Sequence, residues 1–344
     1  MSLSSAPATK RPPASPRLRV MLLGATGTIG QATLRALVRD GHEVVAFVRP
    51  RGGVGGRLEG DALRRALPGA ELRFGDVRAP QALAREGFRG EHFEALVSCL
   101  ASRTGAPRDA WAVDHAAHAQ ALQAARQAGV THVVLLSAIC VQKPLLAFQQ
   151  AKLAFERELI ASGLRFSIVR PTAFFKSLSG QVDRVRQGRP FLVFGDGART
   201  ACKPIGDDDL GDYLAGCLRE PSRWDRVLPI GGPGPALTPQ DQARMLSRLL
   251  GRPVALRRVP VRLLDAVIGV LSAAGRVVPS LADKAELARI GRYYATESML
   301  VWDAAAGRYD AEATPSTGTQ TLQDHYARML GGQATVELGD HAVF

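Results

Sequence analysis

The sequence predicts an α/β fold in which a doubly wound parallel sheet is followed by a smaller, mostly helical C-terminal region. Three observations predict it. A glycine-rich turn, Gly24-Ala-Thr-Gly27-Thr-Ile-Gly30, separates an apolar run from an amphipathic segment near the start of the chain. Strand-like runs then alternate with segments of helical spacing as far as Pro171. After "RVLPIGG" (226–232) the pattern becomes mostly helical.

Taken in order, "LRVMLL" reads as the first strand, the glycine turn opens a helix that stops at Gly41, and "EVVAFV" is the second strand. The run "RPRGGVGGRLEG" (49–60) reads as a flexible loop. "ELRFGD", "ALVSCLAS", "THVVLLSA" and "FSIVRP" continue the strands, with helices over 109–128 and 144–162. Strands alternating with helices imply right-handed crossovers and a Rossmann-like sheet. "RVLPIGG" is a returning sheet strand, and Thr238 caps a helix with Pro239 at its first position. The expected division is a basic tail over 1–17, a dinucleotide domain over 18–200, and a mainly substrate-binding region over 201–344.

The net charge is +12 over 344 residues, and Lys10, Arg11 and Arg17 of the tail supply three charges with no acid beside them. The tail reads as a disordered extension, with a targeting segment as the alternative. The other basic residues form no long runs and are not interleaved with aromatics, which argues against a nucleic-acid partner. Cys99, Cys140, Cys202 and Cys217 occur singly, which excludes iron–sulfur and zinc spacings and fits a reducing cytoplasmic compartment. Asp114, His115 and His118 on one helix invite a metal or magnesium-ligand reading; the two histidines are three apart with no further ligand nearby in sequence, so they read as surface histidines and no metal is expected. "LLDAVIGVLSAAG" (263–275) is too short to span a bilayer and reads as a buried or interfacial helix, a candidate for peripheral membrane association. Oligomeric state is not legible. Of 44 basic residues only six are lysine, and Lys143, Lys152, Lys176 and Lys203 cluster within 143–203. Where arginine is the default cation, a retained lysine points to a compact charge or a proton.

The glycine turn predicts a dinucleotide site. Gly24 permits the tight turn, Gly27 lets a pyrophosphate approach the backbone, and Gly30 allows close helix–strand packing, with Thr26, Thr28 and Ile29 completing the turn. A carboxylate at the end of the second strand would select NAD; this chain has Arg49 there instead, which selects NADPH. Asp76 after the third strand is either an adenine contact or a turn residue. Pro171, closing the sixth strand, is placed beside the cofactor.

The fifth strand ends at Ser137, and the following helix carries Lys152, placed to hydrogen-bond the nicotinamide ribose. Short-chain reductases carry tyrosine four residues before this lysine. Here Phe148 stands, and a phenyl ring has no proton to give. A ketone would lose general acid help worth roughly 10²–10⁴-fold. Hydride added to a carbon–carbon double bond conjugated to a large π-system leaves delocalised charge that depends less on a placed acid.

The segments "GATGTIG", "VSCLASRTG", "LLSAICVQKPLLAFQQAKLAFE", "SIVRPTAFFKSLSGQV", "LPIGGPGPALTPQ", "IGRYYATESMLVWD" and the terminal "ELGDHAVF" resemble the divinyl chlorophyllide a 8-vinyl reductases of atypical short-chain type. The resemblance implies NADPH-dependent reduction of a vinyl group on a flat magnesium tetrapyrrole, in chlorophyll or bacteriochlorophyll synthesis. On that reading Phe148 is what the substrate tolerates and lies in the substrate site, and Phe174 and Phe175 either stack on the macrocycle or pack the core. Lys176 meets a carboxylate, and Tyr293 lines the substrate. Tyr294 is either the missing proton donor or an exposed structural tyrosine, and Lys143 lies near the vinyl group. The catalytic candidates are thus Lys152, Ser137, Tyr294 and Lys143. The alternatives are a non-catalytic NADP(H)-binding redox sensor of the NmrA type, for which the absent tyrosine argues, and a sugar-nucleotide enzyme, which would need that tyrosine.

Overall fold

The computed structural model describes residues 16–53 and 56–333. Most of the basic tail and the terminal "ELGDHAVF" lie outside the described residues. β1 (Arg19–Leu23) leads through the glycine turn into α1 (Thr28–Arg39), and β2 (Glu43–Val48) returns beside β1. The glycine-rich run expected as a flexible loop instead frames a small hairpin, β3 (Arg51–Gly52) against β4 (Leu58–Glu59). Gly53 and Gly56, at φ 73° and 69°, allow the reversal, and Arg51 Nε sits 3.0 Å from Glu59 Oε2.

The chain continues through α2 (Gly60–Ala66), β5 (Ala70–Phe74) and β6 (Ala95–Ser98). Then α3 (Pro107–Ala110), a π-helical turn (Trp111–Ala117) and α4 (His118–Gln127) run on as one helix, close to the expected bounds. β7 (His132–Leu136), α5 (Ala147–Ala161) and β8 (Arg165–Pro171) follow. Beyond them come α6 (Phe175–Leu178), α7 (Val182–Arg186), β9 (Phe191–Phe194), α8 (Asp207–Gly216) and β10 (Arg226–Ile230). The C-terminal part holds α9 (Pro239–Leu250), β11 (Leu256–Val259), α10 (Val261–Ala274) and α11 (Pro279–Thr296). β12 (Val301–Asp303), β13 (Arg308–Asp310) and α12 (Leu322–Leu330) complete it.

The main sheet is parallel, in the order β10-β8-β7-β6-β1-β2-β5. Because strand side chains alternate, Val20 and Leu22 face one layer, with α1 and α8, while Met21 and Leu23 face the other, with α4 and α5. Each such aliphatic burial contributes about 1.5–3 kcal/mol. Order reverses between β1 and β6, so the crevice at their carboxyl ends is where an open α/β sheet binds its ligand.

Segments from either side of residue 200 meet in both halves. β10 joins β8 in the main sheet and α8 packs on α1, while β9 pairs with β11 in a separate ladder. The returning strand at 226–230 is found as expected. For the apolar run after residue 262, α10 has no buried residue, which removes the buried alternative: Leu263 is 55% and Val270 70% exposed. No helix among the described residues is long and apolar enough to cross a membrane.

Candidate active site

At the end of β1, Gly24 adopts φ 74°, and a Cβ there would meet the Cys99 carbonyl at 2.5 Å. A Cβ on Gly30 would lie 2.0 Å from the Gly24 oxygen, so both glycines are required by the fold itself. At Gly27 a Cβ would approach only the Gly24 oxygen, at 3.4 Å, so its absence leaves an open face. Gly27 is also the N-cap of α1; it supplies no side-chain cap, and the first turn carries no acid. That end of the helix suits an anion. Lys176 adds a cation: its Nζ stands 3.5 Å from Thr28 Oγ1. Lys176, expected to meet a substrate carboxylate, thus stands beside the glycine turn, where an anionic group would meet it.

Next to the turn is a cavity of about 280 Å³ whose lining includes Gly24, Thr26, Arg49, Asp76, Arg78 and Arg103. It fits the adenosine end of a dinucleotide. Arg49 is exposed and makes no hydrogen bond or ion pair among the described residues. Asp76 is held by Arg78, with Nη2 to Oδ2 at 2.7 Å; that bond, aided by the Arg49 charge, keeps its carboxyl below the usual carboxylate range. Arg78 was not singled out by the sequence reading, although it stands two residues past Asp76. Three guanidinium groups (Arg49, Arg78, Arg103) thus face two carboxylates (Asp76, Asp109) around this cavity.

At the other end of the crevice Lys152 is 11% exposed and its Nζ lies 2.9 Å from Asp114 Oδ1. Ser137 is buried at the end of β7, and its hydroxyl donates to Glu156, which also pairs with Arg170. Pro171 closes β8 beside Ile230 and is buried. Phe148, one turn before Lys152, is 9% exposed and packs with Ile139, Cys140, Ala151, Tyr293 and Met299.

Two aromatic rings turn inward: Phe175 takes the core-packing alternative, and Tyr293, expected to line the substrate, is buried. Phe175 is 2% exposed in a core with Val182, Val185 and Phe191, so it presents no stacking face. Tyr293 is 4% exposed, and its hydroxyl donates to the Cys140 and Lys143 carbonyls at 3.0 and 3.2 Å. Aromatic identity alone does not reveal that both rings turn inward. Phe174 is half-buried against the main core. Tyr294 differs: the residue is 42% exposed, and among the described residues its hydroxyl reaches only the Cys140 sulfur, 4.0 Å away. Desolvation of that hydroxyl beside Cys140 raises its pKa well above the ordinary phenol value, so it keeps its proton.

Lys143 is not free-standing. Its Nζ lies 2.6 Å from Glu297 Oε2 and 4.5 Å from the centre of the Trp302 ring. Tyr309 donates to the same Glu297 oxygen, and Gln142 Oε1 accepts the Trp302 N–H at 2.8 Å. The turn after β7 is thereby stapled to the β12–β13 hairpin. His118, read as a surface histidine, is 2% exposed: Nδ1 bonds the Val113 carbonyl at 2.9 Å and Nε2 the Ser98 hydroxyl at 2.8 Å. Burial, with the Lys152 charge nearby, lowers its pKa to about 4. His115 instead meets Glu158 at 2.6 Å. Among the described residues no group of three or more His, Cys, Asp or Glu could hold a metal.

A family model for NAD(P)H-binding proteins matches residues 24–221. Among solved structures, an NADPH-dependent quinone oxidoreductase from Escherichia coli in complex with NADPH has a TM-score of 0.62 at 19% identity, covering 90% of this chain and 99% of its own. Leucoanthocyanidin reductase from Vitis vinifera, solved with NADPH, has a TM-score of 0.65 at 15% identity, covering 91% and 99%. Fold and family model therefore define an NAD(P)H-binding chain with a Rossmann-like fold. The divinyl chlorophyllide a 8-vinyl-reductase of Oryza sativa subsp. indica is 50% identical over 331 residues, 94% of this chain and 82% of its own length. That of Arabidopsis thaliana is 44% identical over the same share of this chain and 79% of its own. The chain belongs to the divinyl chlorophyllide a 8-vinyl-reductase family.

Proposed function

We propose that this chain reduces the 8-vinyl group of a divinyl chlorophyllide or protochlorophyllide to ethyl, using NADPH. The observation that carries the reading is family identity of 44–50% sustained over 94% of the chain. The reduced cofactor, when bound, supplies a hydride to the terminal vinyl carbon. The carbon–carbon π bond breaks, two C–H bonds form, and a proton must reach the inner carbon while the macrocycle carries the charge.

The chain's own groups divide this work. The open face at Gly27, the α1 N-terminus and Lys176 hold the diphosphate. Arg49 receives the 2′-phosphate, an extra anion for which the cationic side of the cavity is suited. Lys152 holds the nicotinamide ribose. For the proton, Ser137 and Tyr293 have already committed theirs to Glu156 and to backbone carbonyls, and Lys143 is engaged by Glu297. Tyr294 is the candidate whose proton faces only a weak sulfur acceptor, and we assign it the donor role. The half-buried Phe174 gives the macrocycle an apolar border, and Phe148 backs the site from the core. α10 adds a peripheral membrane contact: exposed Leu263, Val267 and Val270 lie on one face, with exposed Arg262 and Arg276 at its ends.

One observation favours a second reading, a dinucleotide sensor without turnover: Phe148 is a core ring where short-chain reductases have their acid. The test is the purified protein with divinyl chlorophyllide and NADPH, followed by chromatography. Formation of the ethyl pigment with matching NADPH consumption is expected. Pigment and NADPH binding with no product would establish the sensor reading.

A further inference from the structure

Asp114 has no task in the reading above, yet every polar atom of its side chain is used. It is 1% exposed, in the π-helical turn between α3 and α4. Oδ1 takes the Lys152 ammonium at 2.9 Å and the Ser102 N–H at 3.2 Å, and Oδ2 accepts the Ser102 hydroxyl at 2.6 Å. One carboxylate therefore ties together three segments: α5, the interconnecting helix, and the loop that follows β6. Widened helical turns of this kind are frequent at functional sites.

A buried ion pair is weak grounds for stability, because desolvation offsets most of its attraction and an apolar pair of equal volume would serve as well. Position is a better explanation. Lysine is a flexible four-carbon stem with three donors. Asp114 takes one donor from behind, which fixes the stem and leaves two for a ligand. The surroundings keep this charge single. The Val113 carbonyl can only accept, so His118 carries its proton on Nδ1 and receives the Ser98 hydroxyl on Nε2, a neutral imidazole lining the same small cavity as the pair.

We propose that Asp114 is a positioning residue for Lys152, fixing its ammonium, and through Ser102 the loop over 99–104, toward the hydroxyl groups of a nicotinamide riboside. The inference rests on the ribose-holding role given to Lys152. Asp114 itself touches no reacting atom.

The test is a double-mutant cycle on the full chain: wild type, Asp114→Asn, Lys152→Ala and the double variant, each with kcat, KM for NADPH and a thermal melt. Asp114→Asn is expected to lower kcat roughly 10- to 100-fold, the scale of a misplaced catalytic contact, and to add almost nothing in the Lys152→Ala background. Brief acetylation of the cofactor-free protein, read by peptide mass spectrometry, should modify Lys152 severalfold faster in Asp114→Asn than in wild type. Should Asp114→Asn not fold, Ser102→Ala takes its place in the cycle with a smaller loss of the same pattern. Wild-type kcat in Asp114→Asn, or an equal loss in both backgrounds, overturns the positioning role while Lys152 keeps its own. Wild-type kcat in Lys152→Ala overturns both.

Discussion

The hydroxyl of Ser137 donates its single proton to Glu156, a carboxylate 2% exposed that also pairs with Arg170. This ties the end of β7 to α5 and β8 at the depth where the substrate's proton would otherwise be sought. Ser137→Ala should therefore cost stability, about 1–3 kcal/mol from the lost bond to a buried charge, and change kcat less than about tenfold. Thermal melts beside steady-state rates check it. A thousandfold fall in kcat with an unchanged melt would return Ser137 to the chemistry.

Arg49 and Arg78 flank the same cavity but are not equivalent, because Arg78 is spent on Asp76 and Arg49 is not. A charge-assisted hydrogen bond is worth about 1.5–3 kcal/mol, or roughly 10- to 100-fold in affinity. Arg49→Glu should weaken NADPH by at least that factor and leave NADH within a few fold, measured by fluorescence titration. Equal losses for the two cofactors would mean that the 2′-phosphate is read elsewhere.

The sheet and the glycine turn were legible because their signals are local: a period of two in the strands, a period near 3.6 in the helices, and three glycines between them. Arg49 was legible for the same reason, since strand-end position alone defines its neighbourhood. The contacts of Glu297 and Trp302 carry no local sign, because their partners lie 154 and 160 residues away, at Lys143 and Gln142. Asp114 could be placed on a helix but not opposite Lys152, and Phe175 and Tyr293 carry no mark that separates a core ring from a stacking one. Lys143, Lys152, Lys176 and Lys203 each make a directed polar contact, the last with the Thr314 carbonyl at 2.9 Å.

Helix α10 should respond to lipid before any other exposed element does. Its apolar face is flanked by arginines, so binding should need anionic headgroups and fall with salt. Co-sedimentation with phosphatidylglycerol vesicles should recover more protein than phosphatidylcholine vesicles do, and Val270→Glu should abolish the difference. Equal recovery of that variant would remove α10 from the contact.

Acid should destabilise the fold through its buried imidazoles. His118 and His132, 2% and 4% exposed, are both lowered to about 4, by burial first and then by Lys152 and Arg165 respectively. A base with a depressed folded pKa contributes stability that is present above the unfolded value near 6.5 and is lost as pH falls toward 4. Each costs roughly 2 kcal/mol by pH 5. Asp207 opposes them: burial raises it to about 6, so its protonation relieves on the order of 1 kcal/mol over the same range. The two histidines outweigh it, and the net loss between pH 7 and pH 5 should be roughly 2 kcal/mol. Denaturant titrations at the two pH values measure it directly. Unchanged stability would show that the imidazoles reach water.

Tyr294 carries the sharpest kinetic prediction. Removing the hydroxyl alone leaves the ring, its edge contact with Tyr293 at 5.7 Å and the surrounding packing in place. Tyr294→Phe should therefore leave the thermal melt and NADPH binding nearly unchanged. Because the macrocycle spreads the charge, the lost acid should cost less than it would for a ketone, at the lower end of the 10²–10⁴-fold range, so roughly 100-fold in kcat. Its solvent isotope effect should also fall, since hydride delivery would then precede a proton taken from water. Substrate deuterated solvent and the two proteins are enough to see this. Full activity with an unaltered isotope effect would place the donor in solvent and leave Tyr294 as a structural ring over Cys140.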